Sequence, residues 1–294
     1  MELIAAKSIV SKAKSPELWF GAEYNMNIYR GCCHGCIYCD SRSDCYQVDN
    51  FDEVKAKENA LSIIEKDLKG KRNKGVVATG AMSDPYNPYE AEQRLTRRAL
   101  ELLHKYGFGC CIATKGSLIT RDIDILKSII KHSPVIAKIT ITSADDKLSK
   151  MVEPNAQPSS KRFEAIGGLS RNGIFAGVLL MPILPFIEDN EENLVNIIRL
   201  AHESGAKFVY PTLAVSLRDN QKVYFYKALD EKFPGVKEKY IKQYGNSFWC
   251  YSSNYKVLME IIKENCDKYG LLYKMKDIIH AYKSKYQSEQ LTLY

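Results

Sequence analysis

Apolar runs and amphipathic segments alternate along the first 215 residues. Six runs read as β-strands: "YNMNIYRG" (24–31), "GVVATG" (75–80), "GCCIATK" (109–115), "PVIAKITITS" (134–143), "IFAGVLLMPILPF" (174–186) and "AKFVYPTLAV" (206–215). Between them, apolar residues recur at helical spacing in "EVKAKENALSIIEKDLK" (53–69), "EAEQRLTRRALELLHKYG" (90–107), "RDIDILKSIIKH" (121–132), "SSKRFEAIGGLSRNG" (159–173) and "NEENLVNIIRLAHESG" (190–205). Gly107 and Gly173 stand where helices stop. The strand runs are continuously apolar rather than alternating, which predicts parallel strands covered on both faces. Strands separated by single helices predict right-handed crossovers. Six units fall short of a closed eight-fold barrel, so the expectation is a partial barrel or a doubly wound sheet. In either case function belongs beyond the carboxyl ends of the strands.

After residue 215 the pattern changes to short helices: "YFYKALDEKF", "VKEKYIKQYG", "NYKVLMEIIKENCDKYG" and "KMKDIIHAYKSKY". No flexible linker precedes them. The expected organisation is therefore a core over 1–215 and a helical C-terminal extension over 216–294, packed on it. Hydrophobic residues make up 45% of the 294, enough for a sizeable core. No stretch approaches the ~20 apolar residues of a membrane span, and the first residues lack a signal-peptide core. The expectation is a cytoplasmic protein with no membrane partner. Net charge is +7, and residues 215–294 carry 14 Lys and Arg against 9 Asp and Glu, with eleven of the 19 tyrosines. Aromatics interleaved with cations suit nucleic acid, by stacking and phosphate contact. The same composition also makes an amphipathic helical cap with a solvated face.

Five of nine cysteines crowd into "NIYRGCCHGCIYCDSRSDCY" (27–46). Cys110, Cys111, Cys250 and Cys266 lie singly on apolar stretches and read as core. Two registers compete in the crowded segment. Cys32, Cys36 and Cys39 are spaced C-x3-C-x2-C, while Cys33, Cys36 and Cys39 are spaced C-x2-C-x2-C. Cys45 is available as a fourth ligand to either. Closely spaced thiolates on a Gly-containing loop select a soft centre, zinc or iron–sulfur. Zinc sites normally draw paired ligands from two separated knuckles, and no second C-x2-C follows. Three ligands in one loop suit a cubane with one iron left open. His34, inside the loop, either ligates or packs there.

"CCHGCIYC", with an aromatic before its last cysteine, resembles the radical S-adenosylmethionine superfamily. The resemblance implies that Cys32, Cys36 and Cys39 hold a 4Fe-4S cluster whose open iron binds S-adenosylmethionine. It further implies that one electron cleaves the sulfonium to methionine and a 5′-deoxyadenosyl radical. The fold implied is a partial (β/α)6 barrel of the radical SAM type, an α/β architecture. "ATGAMSDPYNPYEAEQRLTRRALELL", "ATKGSLITRDIDIL", "ITSADDKLSKMVEPNAQPSSKRFEAIGGLSRNGI" and "GVLLMPILPFIEDNEENL" resemble, in order, the DNA repair photolyase-like group that includes spore photoproduct lyase.

Carried onto this chain, the resemblance puts Tyr38 against the site in a catalytic role. Ser83, Asp84, Lys115, Thr140 and Thr142 become contacts to S-adenosylmethionine, with Lys115 facing its carboxylate. Glu153, in the turn signal "EPN", falls near the site by the same resemblance, or is simply a capping residue. The prolines of "MPILPF" mark a strand end, near a ligand or not. An electron donor such as flavodoxin or ferredoxin is also implied. Where the lyase carries its hydrogen-donating cysteine this chain has Ala81, beside Met82. Where it has a tyrosine after the last cluster cysteine, this chain has Asp40. The radical chemistry is thus expected without the lyase's quenching relay. The reaction expected is hydrogen abstraction from an organic substrate, of lyase or transferase type, on a small molecule or a nucleic acid. The rival class is a zinc or iron–sulfur protein without turnover.

Overall fold

The computed structural model describes residues 1–287. Residues 288–294, the end of the extension expected over 216–294, lie outside the described residues. Two short strands, β1 (Leu3–Ile4) and β2 (Val10–Lys12), open the chain, followed by β3 (Tyr24–Met26) and β4 (Tyr29–Arg30). The cysteine loop then runs to β5 (Lys55–Lys57) and α1 (Ala60–Lys69). Next come β6 (Val76–Thr79), α2 (Glu90–Gln93), α3 (Leu95–Lys105), β7 (Gly109–Thr114), α4 (Ile123–Ile130) and β8 (Val135–Thr140). They are followed by α5 (Asp146–Val152), α6 (Ser159–Arg171), β9 (Phe175–Leu180), α7 (Glu191–Glu203) and β10 (Val209–Pro211). The C-terminal part holds β11 (Ala214–Ser216), α8 (Asp219–Lys232), α9 (Val236–Tyr244), β12 (Trp249–Tyr251), α10 (Tyr255–Tyr269) and α11 (Met275–Gln287).

Strands β3, β6, β7, β8, β9 and β10 pair in parallel, in chain order, and β2 adds an antiparallel edge. Neighbours in sequence are neighbours in space, as in a barrel wall that has not closed. The doubly wound alternative is thereby set aside, because its strand order would reverse in the middle. The fold is a partial (β/α)6 barrel with a helical C-terminal region. One sheet face packs on the helices through Val77, Ile112, Ile139, Val178 and their neighbours. The inner face carries Ala78, Cys111, Ala113, Ile136 and Leu179 against Phe20, Phe208 and, from α11, Ile278 and Tyr282. Cys110, Cys111 and Cys266 are buried in these layers, and Cys250 is buried in a separate cluster with Phe225 and Tyr240.

Several elements differ from the periodicity, each for a tertiary or side-chain reason. The helix expected over 53–69 starts only at Ala60, because Lys55–Lys57 pairs with β1 on one side and β4 on the other. The helix over 90–107 breaks at Arg94, which sits at φ 50°. There the buried Glu90 carboxylate accepts the Thr96 and Arg97 N–H groups at 3.0 and 3.3 Å and caps α3 from the preceding turn. The run 174–186 is strand only to Leu180, since Pro182 has no N–H for the ladder. The run 206–215 splits: β10 stays in the barrel, and β11 leaves to pair with β12.

Gly177 on β9 is required by close approach. A Cβ there would lie 2.5 and 2.7 Å from ring carbons of Phe208. Gly177→Ala is expected to lower stability by about 1–3 kcal/mol through overpacking, read as a drop in the midpoint of thermal or urea unfolding. An unchanged midpoint would mean that the inner layer is loosely packed.

Candidate active site

The cysteine loop has almost no regular structure of its own, so its shape is imposed by its neighbours. On one side it is stitched to the segment between α5 and α6. Ile37 N–H donates to Val152 O, Asn155 N–H to His34 O, and Asn155 Nδ2 to Cys33 O, each at 3.0 Å. Gly35 takes φ 67° at this seam, and a Cβ there would meet Pro154 and Asn155 at 3.2 Å. On the other side the C-terminal region holds it. Gln221 of α8 donates to Tyr38 O. Asp40 accepts from Ser216, Tyr46 and Arg218 at 3.0, 2.8 and 2.7 Å. The Arg42 guanidinium lies 3.7 Å from the Tyr224 ring centroid and pairs with Asp52. Phe225, Leu229 and Tyr240 pack behind Cys36, Ile37 and Tyr38.

The loop faces a cavity of about 320 Å³ at the carboxyl ends of the strands. Cys32, Cys36 and Cys39 line it. Cys33 instead packs partly buried against the main core, and Cys45 is exposed. Of the two registers, C-x3-C-x2-C is the one with all three sulfurs on the wall. All three are free thiols. Burial, with added repulsion between neighbouring cysteines, pushes Cys32 and Cys36 up to about 12 and Cys39 to about 11. Such thiols become thiolates only when a cation shares the site. Backbone N–H groups of His34 and Asp84 point at the Cys32 sulfur, and that of Ser41 at Cys39. Donors of this kind are what an iron–sulfur centre uses to tune its potential. Among the described residues no three His, Cys, Asp or Glu side chains converge on a single ion. A donor set of three soft, spread thiols fits a cluster better than a zinc ion.

Lys115, at the end of β7, also lines the cavity. Its ammonium sits 5.5 Å from the Tyr38 ring centroid and 3.8 Å from Glu153. Burial works against the charge, but Cys36 and Glu153 outweigh it and hold the pKa above its ordinary value. Tyr38 lines the cavity with its ring and donates its hydroxyl to Glu153. Glu153 lies just behind the wall, fully buried, and pairs with Arg162 at 2.5 Å. Arg162 is itself buried and donates to Thr140 O and Gln157 O. Burial raises the Glu153 pKa, yet Arg162, Lys115 and the Tyr38 hydroxyl outweigh it, leaving the carboxyl below its usual range.

Ser83, Asp84 and Thr140 line the cavity as well. The first two are already engaged by the protein: Ser83 donates to Gly31 O at 2.5 Å, and Asp84 accepts from Thr114 Oγ1, Tyr86 N–H and Lys115 N–H at 2.6–2.8 Å. His34 Nδ1 stands 3.5 Å from Asp84, and burial holds the imidazole below its ordinary pKa. Thr142 lies past the end of β8, away from the wall. Its hydroxyl donates to Glu188, whose buried carboxyl is raised well above the usual range by burial. Ala81, Met82 and Asp40 are on the wall. The periodicity missed Trp19, Leu179, Met181 and Trp249, which supply its apolar part, and also Arg162, Arg218 and Gln221. Nothing local marks these residues, because each reaches the site from a distant helix or strand.

The two buried glutamates are expected to answer oppositely to neutralisation. Glu153→Gln should cost about 3 kcal/mol or more at neutral pH, because it leaves the Arg162 charge buried and unpaired. That difference should shrink as pH falls below the ordinary value of 4.5, where the wild-type carboxyl takes up its proton. Glu188→Gln should be nearly neutral. Its raised pKa means that the wild type loses stability as pH rises above 4.5, and the variant does not. Urea unfolding of both variants between pH 4 and 8 checks the signs, and equal losses at pH 8 would contradict them.

Comparison with known proteins agrees with this geometry. The family model described as the Radical SAM superfamily matches residues 26–201. An uncharacterized protein of Methanocaldococcus jannaschii is 34% identical over 191 residues, covering 64% of this chain and 69% of that protein. An uncharacterized protein of Mycobacterium bovis is 26% identical over 255 residues, covering 84% and 75%. Among solved structures, a spore photoproduct lyase variant with bound AdoMet and dinucleoside spore photoproduct superposes with a TM-score of 0.66 at 15% identity, over 92% of this chain and 82% of that one. At that identity the likeness is one of fold. A family match over more than half the chain, on the sheet that carries the cysteine loop, makes this protein a member of the radical SAM superfamily.

Proposed function

We propose that this protein is an enzyme that holds a 4Fe-4S cluster on Cys32, Cys36 and Cys39 and uses S-adenosylmethionine to abstract hydrogen from an organic substrate. The observation that carries this reading is three free thiols on one cavity wall, with the Lys115 ammonium on the same wall. Cluster and S-adenosylmethionine together would supply one electron and a primary carbon radical. The chain's own part is to bind and orient. Cys32, Cys36 and Cys39 would hold the cluster as thiolates, with the amino acid end of S-adenosylmethionine bound beside it. Lys115 offers an ammonium to its carboxylate, and Glu153 with Tyr38 keeps that ammonium aimed. Thr140 offers a hydroxyl, while Ser83 and Asp84 hold the strand ends and the loop in register. Thr142 contributes through Glu188, behind the wall. Leu179, Met181 and Trp19 exclude water from the reacting carbon. In this reading residues 1–215 form the catalytic core, and the chain from 216 braces the cysteine loop.

Anaerobic reconstitution with iron and sulfide should give a brown protein, and dithionite with S-adenosylmethionine should release 5′-deoxyadenosine. Replacing Cys32, Cys36 or Cys39 by alanine should remove both the iron and the release. A colourless product, or a cysteine variant retaining both, would overturn the reading. A cluster whose spectrum ignores S-adenosylmethionine would instead indicate an electron-transfer protein. Lys115→Met should weaken S-adenosylmethionine binding by about 10- to 100-fold, the worth of one charged hydrogen bond.

A nucleic-acid substrate is the second reading, favoured by a ladder of half-exposed rings. Phe248, Trp249, Tyr251 and Tyr255 follow one another at centroid distances of 5.0, 6.1 and 6.0 Å, and Trp249 stands on the cavity rim. Arg218 lies over Phe248. Single-stranded oligonucleotides should then bind in a salt-dependent manner, and Trp249→Ala should weaken binding by about 1–3 kcal/mol. Absence of binding at low salt would leave the small-molecule reading.

A further inference from the structure

Lys138 is the one residue of β8 whose chemistry neither the barrel core nor the site above it uses. It is fully buried, and its ammonium finds no hydrogen-bond partner among the described residues. Nor is it in an ion pair there. What it touches is aromatic: Nζ lies 4.7 Å from the Trp19 ring centroid and 4.4 Å from that of Phe20. Two desolvated ring faces return only part of what an ammonium loses on leaving water. A core position chosen for stability alone would carry an apolar residue, as its strand neighbours Ile136 and Ile139 do.

Its place in the barrel says what the charge faces. Side chains alternate along β8, so Lys138 shares the inner face with Ile136 and Thr140. Thr140 lines the cavity, and Lys138 stands two residues deeper, about 7 Å at the usual strand rise. Its register partners on the flanking strands are Ala113, which lines the cavity, and Gly177, over which the Phe208 ring packs. Trp19, the ring on one side of it, is itself part of the cavity wall. Phe20, the ring on the other, holds φ 51°, an uncommon backbone state for a bulky residue. That turn is pinned by α11: Phe20 N–H donates to Met275 Sδ at 3.1 Å, Tyr282 donates to Phe20 O, and Lys283 to Gly21 O. The last helix thus maintains a strained turn whose rings screen one buried cation from the cavity.

We propose that Lys138 forms an oxyanion subsite at the inner end of the cavity, taking a carboxylate or phosphate group of the substrate, with Trp19 as the ring that admits it. This rests on the cavity being the reaction site, and it narrows the substrate to organic anions. The group is distinct from the S-adenosylmethionine carboxylate, for which Lys115 stands at the rim.

Calorimetric titration of full-length reconstituted protein, saturated with S-adenosylmethionine so that Lys115 is engaged, tests the subsite. Inorganic phosphate and acetate are the two probes, in separate arms. The wild type should bind at least one of them in the millimolar range or tighter, and the responding arm identifies the group. Lys138→Met should weaken that binding by about 10- to 100-fold, and Lys138→Arg should retain it. Should the methionine variant not fold, Lys138→Gln is read in the same way. Absence of binding by both probes, or equal binding by the variant without the charge, would make Lys138 a ring-stacked core lysine and overturn the subsite. S-adenosylmethionine binding is measured on the same wild-type sample. Its failure overturns the reading of the cavity and the subsite with it; its presence without oxyanion binding overturns the subsite alone.

Discussion

Cys32, Cys36 and Cys39 share one cavity wall, on a loop whose path is fixed from both flanks. That constraint organises the molecule. Burial disfavours the charged form of all three, which therefore stand as neutral thiols at neutral pH. Its own backbone hydrogen bonds close only short turns between Cys36 and Gln47, and it is pinned from both flanks. The α5–α6 connection grips it at His34, Cys33 and Ile37, while β11 and α8 grip it at Tyr38 and Asp40. The C-terminal helices therefore do for the loop what the barrel does for the strand ends.

The same economy governs the charges behind the cavity. Lys115, Glu153 and Arg162 are buried together, and none is stable there without the others. Arg162 also takes the carbonyl of Thr140, which ties the acid behind the wall to the strand end in front of it. Asp84 does the equivalent elsewhere on the wall, joining the loop after β6 to the end of β7 through two hydrogen bonds, from Thr114 Oγ1 and Lys115 N–H. The wall is thus prepared in advance, with its polar side chains held by the protein before any ligand competes for them. Lys138 departs from this pattern, since rings rather than acids surround it.

Much of this architecture was legible in the linear pattern. Continuous apolar runs between amphipathic segments announced parallel strands with helical cover, and spacing alone singled out the loop 32–39. What local pattern could not supply was partnership. Lys55–Lys57 reads as the start of a helix and becomes a strand because two other strands flank it. Glu90 reads as a helical residue and instead caps the next helix, breaking the segment at Arg94. Ser83 and Asp84 stand on the wall, yet their polar atoms are already engaged by the protein.

By itself the sequence determined the strand-and-helix alternation, the number of barrel units and the presence of a thiol-rich loop beyond the first strand. Those follow from periodicity and residue type, which are local. Only the tertiary structure decided which three of the five crowded cysteines share a wall, and that Thr142 faces Glu188. Only it, too, joined an N-terminal turn, a central strand lysine and the last described helix in one buried cluster beside the cavity wall. Such facts depend on side chains meeting in three dimensions, across 46 residues of chain for Thr142 and Glu188 and 262 for Phe20 and Tyr282, and no spacing rule carries that information.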